Sequence, residues 1–362
     1  MTTDEIRDQR IRTVRPLVAP ADIRRQLPLT ERGRERVLRD RRNVKRILDA
    51  EDQRLLVIVG PCSIHDPTAA LDYARRLAKA AERLKAELCI VMRVYFEKPR
   101  STTGWKGLIN DPGLDGRFDV NGGLRLARSL ILEILDLDLA VGCEFLDPIT
   151  PQFIADTVSW GFVGARTSQS QIHRQLASGL SMPVGFKNST DGDLQVAVDA
   201  VAVANSEHVF PGVDDGGRAS IFSTTGNADC HIVLRGSTSG SNYDDASLDE
   251  AIGRLRSAGL PERLVVDASH GNSNKEHHRQ SVVIAELANR IASGARDVRG
   301  VMIESFIEAG RQDLNLGHAS KLTYGQSVTD ACIGWEESVL MLDQLAEAVR
   351  RSIVERTALT RS

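Results

Sequence analysis

The chain of 362 residues contains no apolar run approaching the roughly 18 residues that a membrane-spanning helix needs, so no membrane role is expected. Its five cysteines, at positions 62, 89, 143, 230 and 332, form no Cys-x-x-Cys pair, and no secretory apolar core stands near the N-terminus. So odd and scattered a set excludes a disulfide framework and points to a cytoplasmic protein with reduced thiols. Strong net charge is lacking too: 46 Lys and Arg face 49 Asp and Glu, for −3 overall. A nucleic-acid binder shows a basic stripe along its working face, so nucleic acid is excluded as the main partner. One asymmetry lies in residues 1–50, where 14 Lys and Arg against 8 Asp and Glu give +6 and leave the remainder at −9. A solvated helical face accounts for it more readily than contact with phosphates, the alternative. Internal repeats and low-complexity linkers are absent.

What is present is rhythm. Pro16, Pro20 and Pro28 break the Arg-rich start into an extended arm. A helix is then expected from Thr30-Glu31 to about Ala50, with Val37, Val44, Ile47 and Leu48 as its apolar stripe. Eight short β-branched runs follow: Leu55–Gly60, Cys89–Phe96, Leu139–Phe145, Phe162–Arg166, Val184–Lys187, His231–Arg235, Leu264–Ala268 and Val301–Ser305. Continuous apolar runs fit parallel strands buried on both faces. Helical patterns separate most of them, as between the first two, where Asp66-Pro67 supplies an N-cap and an N1 proline. Eight such strands in about 250 residues predict an α/β fold of the (β/α)8 TIM-barrel type. A doubly wound open sheet is the alternative, but the Gly-rich dinucleotide loop it normally carries is missing. Around Asp214-Asp215-Gly216-Gly217 the pattern reads as a β-hairpin, about 205–227, inserted before the sixth strand. The expected organisation is an N-terminal arm and helix at 1–50, a catalytic barrel at 51–350 and a tail at 351–362.

Barrel enzymes place their chemistry at the C-terminal ends of the strands. Those positions hold Cys62, Arg93, Lys98, Glu144, Arg166, Lys187, Arg235, Asp267, His270 and Glu304. A solvated strand terminus explains any one of these, but not the whole set, because unpartnered charge is poorly tolerated in burial. Cys62, His270 and Glu304, with Asp330 just beyond, offer thiolate, imidazole and carboxylate donors. Such a mixed set suits a divalent Mn, Fe, Co or Zn ion without choosing among them. The bland readings are a structural thiol for Cys62 and a satisfied loop histidine for His270. Five cations around one mouth call for anionic substrates with more than one phosphate or carboxylate. Metal donors beside phosphate-binding cations point to carbonyl or phosphoryl chemistry on small phosphorylated molecules.

These residues sit in long runs: Gly60-Pro61-Cys62-Ser63-Ile64-His65-Asp66, Met92-Arg93-Val94-Tyr95-Phe96-Glu97-Lys98-Pro99-Arg100, and Gly104-Trp105-Lys106-Gly107-Leu108-Ile109-Asn110-Asp111-Pro112. Others are Gly164-Ala165-Arg166-Thr167, Pro183-Val184-Gly185-Phe186-Lys187-Asn188 and Ile232-Val233-Leu234-Arg235-Gly236. Asp267-Ala268-Ser269-His270-Gly271-Asn272 and Thr329-Asp330-Ala331-Cys332-Ile333-Gly334-Trp335 complete the series. From about Asp8 to Val349 the chain closely resembles the type I, aromatic-amino-acid-regulated 3-deoxy-D-arabino-heptulosonate 7-phosphate (DAHP) synthases.

The resemblance implies condensation of phosphoenolpyruvate (PEP) with erythrose 4-phosphate and water to give DAHP and phosphate, the first step of the shikimate pathway. It implies Cys62, His270, Glu304 and Asp330 as metal ligands, and Arg93, Lys98, Glu144, Ala165, Arg166, Lys187 and Arg235 around PEP. Lys98, Pro99, Arg100, Ser101 and Asp267 are implied at erythrose 4-phosphate. Lys98, Glu144, Cys62 and His270 would form the catalytic group. Relatives often have Thr where Ser101 stands, and some have His in place of Phe306; the hairpin diverges. The alternatives are the related octulosonate 8-phosphate synthase, whose lysine precedes an Ala-Asn-type segment unlike Lys98-Pro99-Arg100-Ser101, and a non-catalytic regulatory paralogue. Asp8, Pro151, Gln152 and Ser181 fall where type I relatives form a feedback site, implying a homodimer or homotetramer inhibited by Phe or Tyr.

Overall fold

A computed structural model describes residues 6–100 and 104–359, without side chains beyond 354. Eight parallel strands close into a barrel, with a two-stranded antiparallel hairpin outside it. In chain order the strands are β1 (Leu55–Gly60), β2 (Leu88–Arg93), β3 (Ala140–Glu144), β4 (Trp160–Val163), β5 (Val184–Lys187), β6 (His208–Val213), β7 (Ala219–Thr224), β8 (His231–Leu234), β9 (Leu264–Asp267) and β10 (Val298–Glu304). β6 and β7 form the hairpin, and β5 pairs directly with β8. Each barrel strand is buried along almost its whole length, with only Arg299 of β10 part-exposed, which is why the strands read as unbroken apolar runs.

Strand side chains alternate between two cores. Leu56 and Ile58 point into the barrel with Val91, Ala140, Trp160, Phe162, Val233, Val265 and Met302. Leu55, Val57 and Val59 face the surrounding helices. The helix Glu31–Leu48, capped by the Thr30 hydroxyl accepting from the Gly33 N–H, sends Val44, Ile47 and Leu48 into the interior core. Its stripe thus plugs the end where the strands begin. Arg41 donates to the carbonyls of Ala155 and Val158 there, and ion pairs Lys45–Asp229 and Arg263–Asp49 fasten the plug. The opposite end is left for chemistry.

Three expectations need correction. The fourth strand is Trp160–Val163, not Phe162–Arg166, so Arg166 stands in the turn after it. Gly161 lies within the strand, where a side chain would press on Val184 and Phe145. Pro20 does not break the arm but opens a helix, Pro20–Gln26, at the N1 position where proline's missing N–H costs nothing. The last helix, Trp335–Leu359, runs straight through the boundary expected at residue 350. Among the described residues, no helix is long and apolar enough to cross a membrane.

Arg128 ties the outer layer together. From the buried face of the helix Val120–Asp136 it donates to the carbonyls of Leu27 (2.8 Å) and Phe153 (2.9 Å) and forks onto Asp156 at 2.6 and 2.8 Å. Replacing Arg128 with Leu strands two carbonyls and a carboxylate, and should destabilise the fold by about 3 kcal/mol. A lowered urea midpoint at unchanged slope would show it.

Candidate active site

At the C-terminal end of the barrel lies a cavity of ≈ 730 Å³. Arg93, Lys98, Glu144, Arg166, Lys187, Arg235, His270, Glu304 and Asp330 all line it, as do Pro99, Arg100 and Ala165. Residues spread over more than 230 positions therefore meet because each ends a strand or lies in the loop after one.

Two buried carboxylates order the cations. Asp267 is fully buried; its Oδ2 lies 2.5 Å from Lys187 Nζ and 2.9 Å from His270 Nδ1, while Ser269 donates twice to Oδ1. Burial alone would raise its carboxyl pKa, but Lys187 and His270 reverse this and hold it well below the usual range. With both oxygens engaged and no exposed surface, Asp267 holds Lys187 and His270 rather than facing the cavity, unlike the expected contact to a sugar phosphate. Glu304 Oε1 takes Arg93 Nη2 at 3.0 Å, and Arg93 Nε reaches the Pro61 carbonyl. Arg93 Nη1 and Arg235 Nε are buried without a partner among the described residues. They are donors suited to an anion.

Cys62, Glu304 and Asp330 bring one donor atom each within 4.8 Å of one another. His270 stands beside this trio, its Nε2 4.0 Å from Glu304, while Asp267 and Ser269 occupy Nδ1 and so fix the ring's orientation. Burial, then Glu304, pushes the Cys62 thiol up to about 12. A divalent cation among these donors would relieve that repulsion, so the set fits a metal ion. Lys98 lies against the same trio, its Nζ 3.1 Å from Cys62 Sγ and 3.2 Å from the Cys62 carbonyl. Burial opposes its charge, but Cys62, Glu144, Glu304 and Asp330 outweigh that and keep the ammonium protonated.

The chain matches the DAHP synthetase I family over residues 30–343. A phospho-2-dehydro-3-deoxyheptonate aldolase of Corynebacterium glutamicum is 51% identical over 348 residues, 95% of this chain and 94% of that protein. The Phe-sensitive enzyme of that name from Escherichia coli K12 is 50% identical over 343 residues, 95% and 97% of the two chains. This chain belongs to the DAHP synthetase I family. A solved DAHP synthase structure, the phospho-2-dehydro-3-deoxyheptonate aldolase of Francisella tularensis, superimposes with a TM-score of 0.92 at 46% identity, covering 94% of this chain and 99% of that one. The fold is thus the family's (β/α)8 barrel, and the protein is a DAHP synthase by kind: an enzyme of aldol condensation.

The long motifs of this DAHP synthase acquire structural reasons. Gly104–Pro112 folds as a strap over Phe96–Lys98: Lys98 N donates to the Lys106 carbonyl, and Ile109 N to that of Phe96. Gly107, at φ +114, is required there, because a Cβ would sit 2.0 Å from the Phe96 oxygen. Asn188 accepts from Arg235 N, and Asn272 donates to the carbonyls of Leu234 and Asp267, stapling three strand-end loops. Gln280 exchanges two hydrogen bonds with the Glu304 backbone. Sequence reading gave none of these three a role, since their partners are remote in the chain. Ser101 lies outside the described residues. Of the expected feedback residues, Pro151 is buried, and the Gln152 carbonyl accepts from Arg24, which also pairs with Asp215 at the hairpin tip. Asp8 and Ser181 are exposed.

Glu97 underlies the Lys98 segment. It is 3% exposed, accepts from the Thr150 hydroxyl, and is pushed by burial, then by Asp147, up to about 8. A raised carboxyl pKa means that the native state holds the proton which the unfolded chain releases near 4.5. Stability then falls as pH rises from about 4.5 towards about 8. Glu97→Gln should therefore match the native protein at pH 5 and melt at a higher temperature at pH 8.5, as differential scanning calorimetry would show.

Proposed function

We propose that the cavity binds PEP and erythrose 4-phosphate and joins them to form DAHP and phosphate. The convergence of five cations and a metal-competent donor trio on one mouth carries this reading. Two phosphate dianions about 8 Å apart repel by about 8 kcal/mol at an effective dielectric near 20, so a site that joins them must supply positive charge. Arg93, Arg166, Lys187 and Arg235, with Ala165, hold PEP. Lys98, Pro99, Arg100 and Ser101 hold erythrose 4-phosphate, while Asp267, paired with Lys187, supports the PEP side. A Mn, Fe, Co or Zn ion held by Cys62, Glu304 and Asp330, with His270, would act as a Lewis acid on the aldehyde carbonyl.

C3 of PEP bonds to the aldehyde carbon, and the Lys98 ammonium gives its proton to the oxygen that becomes a hydroxyl. Water adds at C2, with Glu144 placed to take its proton, and the C2–O bond to phosphate then breaks. The cation cluster contributes mainly by holding two anions in reacting geometry.

Phosphate release should require both substrates and run faster with erythrose 4-phosphate than with arabinose 5-phosphate; the reverse preference would favour the octulosonate rival. No release from metal-replete protein would favour a regulatory paralogue. Cys62→Ser should lower kcat/KM by at least about a hundredfold and weaken metal retention against a chelator. Elemental analysis of protein purified without added metal identifies the native ion.

Control is part of the same proposal. A homodimer or homotetramer would bind Phe or Tyr between the arm, with Asp8 at the ammonium, and the region of Pro151, Gln152 and Ser181. The Arg24 link from Gln152 to the hairpin tip supports this, as does the name of the Phe-sensitive relative. Occupancy would need to disfavour substrate by about 1–3 kcal/mol, a usual coupling. Deleting residues 1–20 should spare turnover and abolish inhibition; a truncated enzyme as sensitive as the full-length one would exclude the arm, and no response to Phe, Tyr or Trp would exclude the control itself. A cytoplasmic setting accords with five unpaired, buried cysteines.

A further inference from the structure

Tyr95 lies in the run after β2 with no role so far. Its ring sits between a cation and an aromatic: the Arg93 guanidinium carbon is 4.0 Å from the ring centroid, and Phe162 stacks at 5.7 Å with 16° between planes. Phe162 in turn stacks on Trp160 and has Lys187 Nζ 4.8 Å from its ring. Thus one aromatic column seats two of the cavity's cations. Tyr95 lines the cavity, is 1% exposed, and its hydroxyl finds no hydrogen-bond partner among the described residues. Burial pushes the phenol well above its usual pKa, so it keeps its proton and stays a donor. Arg93 Nη1, on the neighbouring side chain, is the second unpartnered donor at this depth.

We propose that the Tyr95 hydroxyl is a substrate contact, donating with Arg93 Nη1 to the carboxylate of PEP. Two adjacent unpaired donors match the two oxygens of a planar carboxylate. The site's depth favours the same group: Arg93 and Tyr95 are almost completely buried, whereas Arg166 and Arg100 are exposed and suit bulkier phosphates. A buried hydroxyl kept without a partner costs stability in the ligand-free protein and is retained where a ligand completes it. The inference rests on reading the cavity as a PEP site.

Tyr95→Phe keeps the ring, its stacking and its contact with Arg93, and removes only the hydroxyl. Losing a hydrogen bond to a charged group should weaken PEP binding by about ten- to a hundredfold. Calorimetric titration of metal-loaded protein with PEP measures this directly, and KM for PEP should rise in parallel. The KM for erythrose 4-phosphate and the affinity for inorganic phosphate should stay within about twofold. The ligand-free variant should melt no lower than the native protein, because no intramolecular bond is lost. Unchanged PEP affinity would overturn the proposal. So would an equal loss of phosphate affinity, which would place the hydroxyl at the phosphate, or a lowered melting temperature without ligand, which would make it structural. Failure of the native protein to release phosphate from the substrate pair, with PEP still bound in titration, would sink the reaction and not the contact.

Discussion

Positive charge held inside a barrel must be balanced, and Asp267 and Glu304 do the balancing. An unpaired ion in such a place costs several kcal/mol. Glu304, beside Arg93, and Asp267, wholly buried between Lys187 and His270, offset that cost for two cations out of five, fully for Arg93 and only partly for Lys187, whose pKa burial still lowers. The same carboxylates have second tasks. Asp267 fixes the His270 ring, and Glu304 belongs to the trio with Cys62 and Asp330. Anion site and metal-competent site are therefore one electrostatic unit, and a change in either carboxylate disturbs both.

Compensation is deliberately incomplete. Arg235 Nε and Arg93 Nη1 stay unpaired among the described residues, whereas Arg128, equally buried in the outer layer, has its donors shared among two carbonyls and a carboxylate. Arg128 is a finished structural joint. The cavity cations are held from one side and left open on the other. Anionic ligands that completed them would stabilise the fold by mass action, by about 2.7 kcal/mol at a hundredfold excess over Kd.

The fold and most cavity residues were legible in the sequence for one reason. Parallel strands buried on both faces allow only apolar side chains, so a charge marks where the strand leaves the barrel, as Arg93, Glu144, Lys187 and Glu304 do. Where that contrast weakens, the reading slipped. The fourth strand begins two residues earlier than expected, Pro20 resembled a breaker, and Asp267 resembled another cavity residue because a strand-end carboxylate looks the same whether it faces substrate or a neighbouring lysine. Asn188, Asn272 and Gln280 were illegible as supports, since an amide's importance lies in partners brought near only by the closed barrel. Tyr95 and Phe162 were hidden differently: an aromatic in an apolar run reads as core, and both are indeed in the core.

Lys98 shows how closely the two halves of the site depend on each other. Its ammonium lies against Cys62, where it offsets the negative charge of the donor trio. The strap Gly104–Pro112 fixes its backbone through the Lys106 carbonyl, and Gly107 permits the approach. Below it, Glu97 connects the same segment to Thr150, at the start of the helix that carries Pro151 and Gln152. The Lys98 segment, whose ammonium is proposed above as the proton donor, is thus held at three points: the side chain at the donor trio, the backbone at the strap, and its neighbour Glu97 at Thr150. An ammonium held protonated by its neighbours is a weak acid, so donating its proton would depend on geometry fixed before the reaction. That requirement explains why the run from Arg93 to Pro112 is so densely built, although only Arg93, Tyr95, Lys98, Pro99 and Arg100 of its described residues line the cavity.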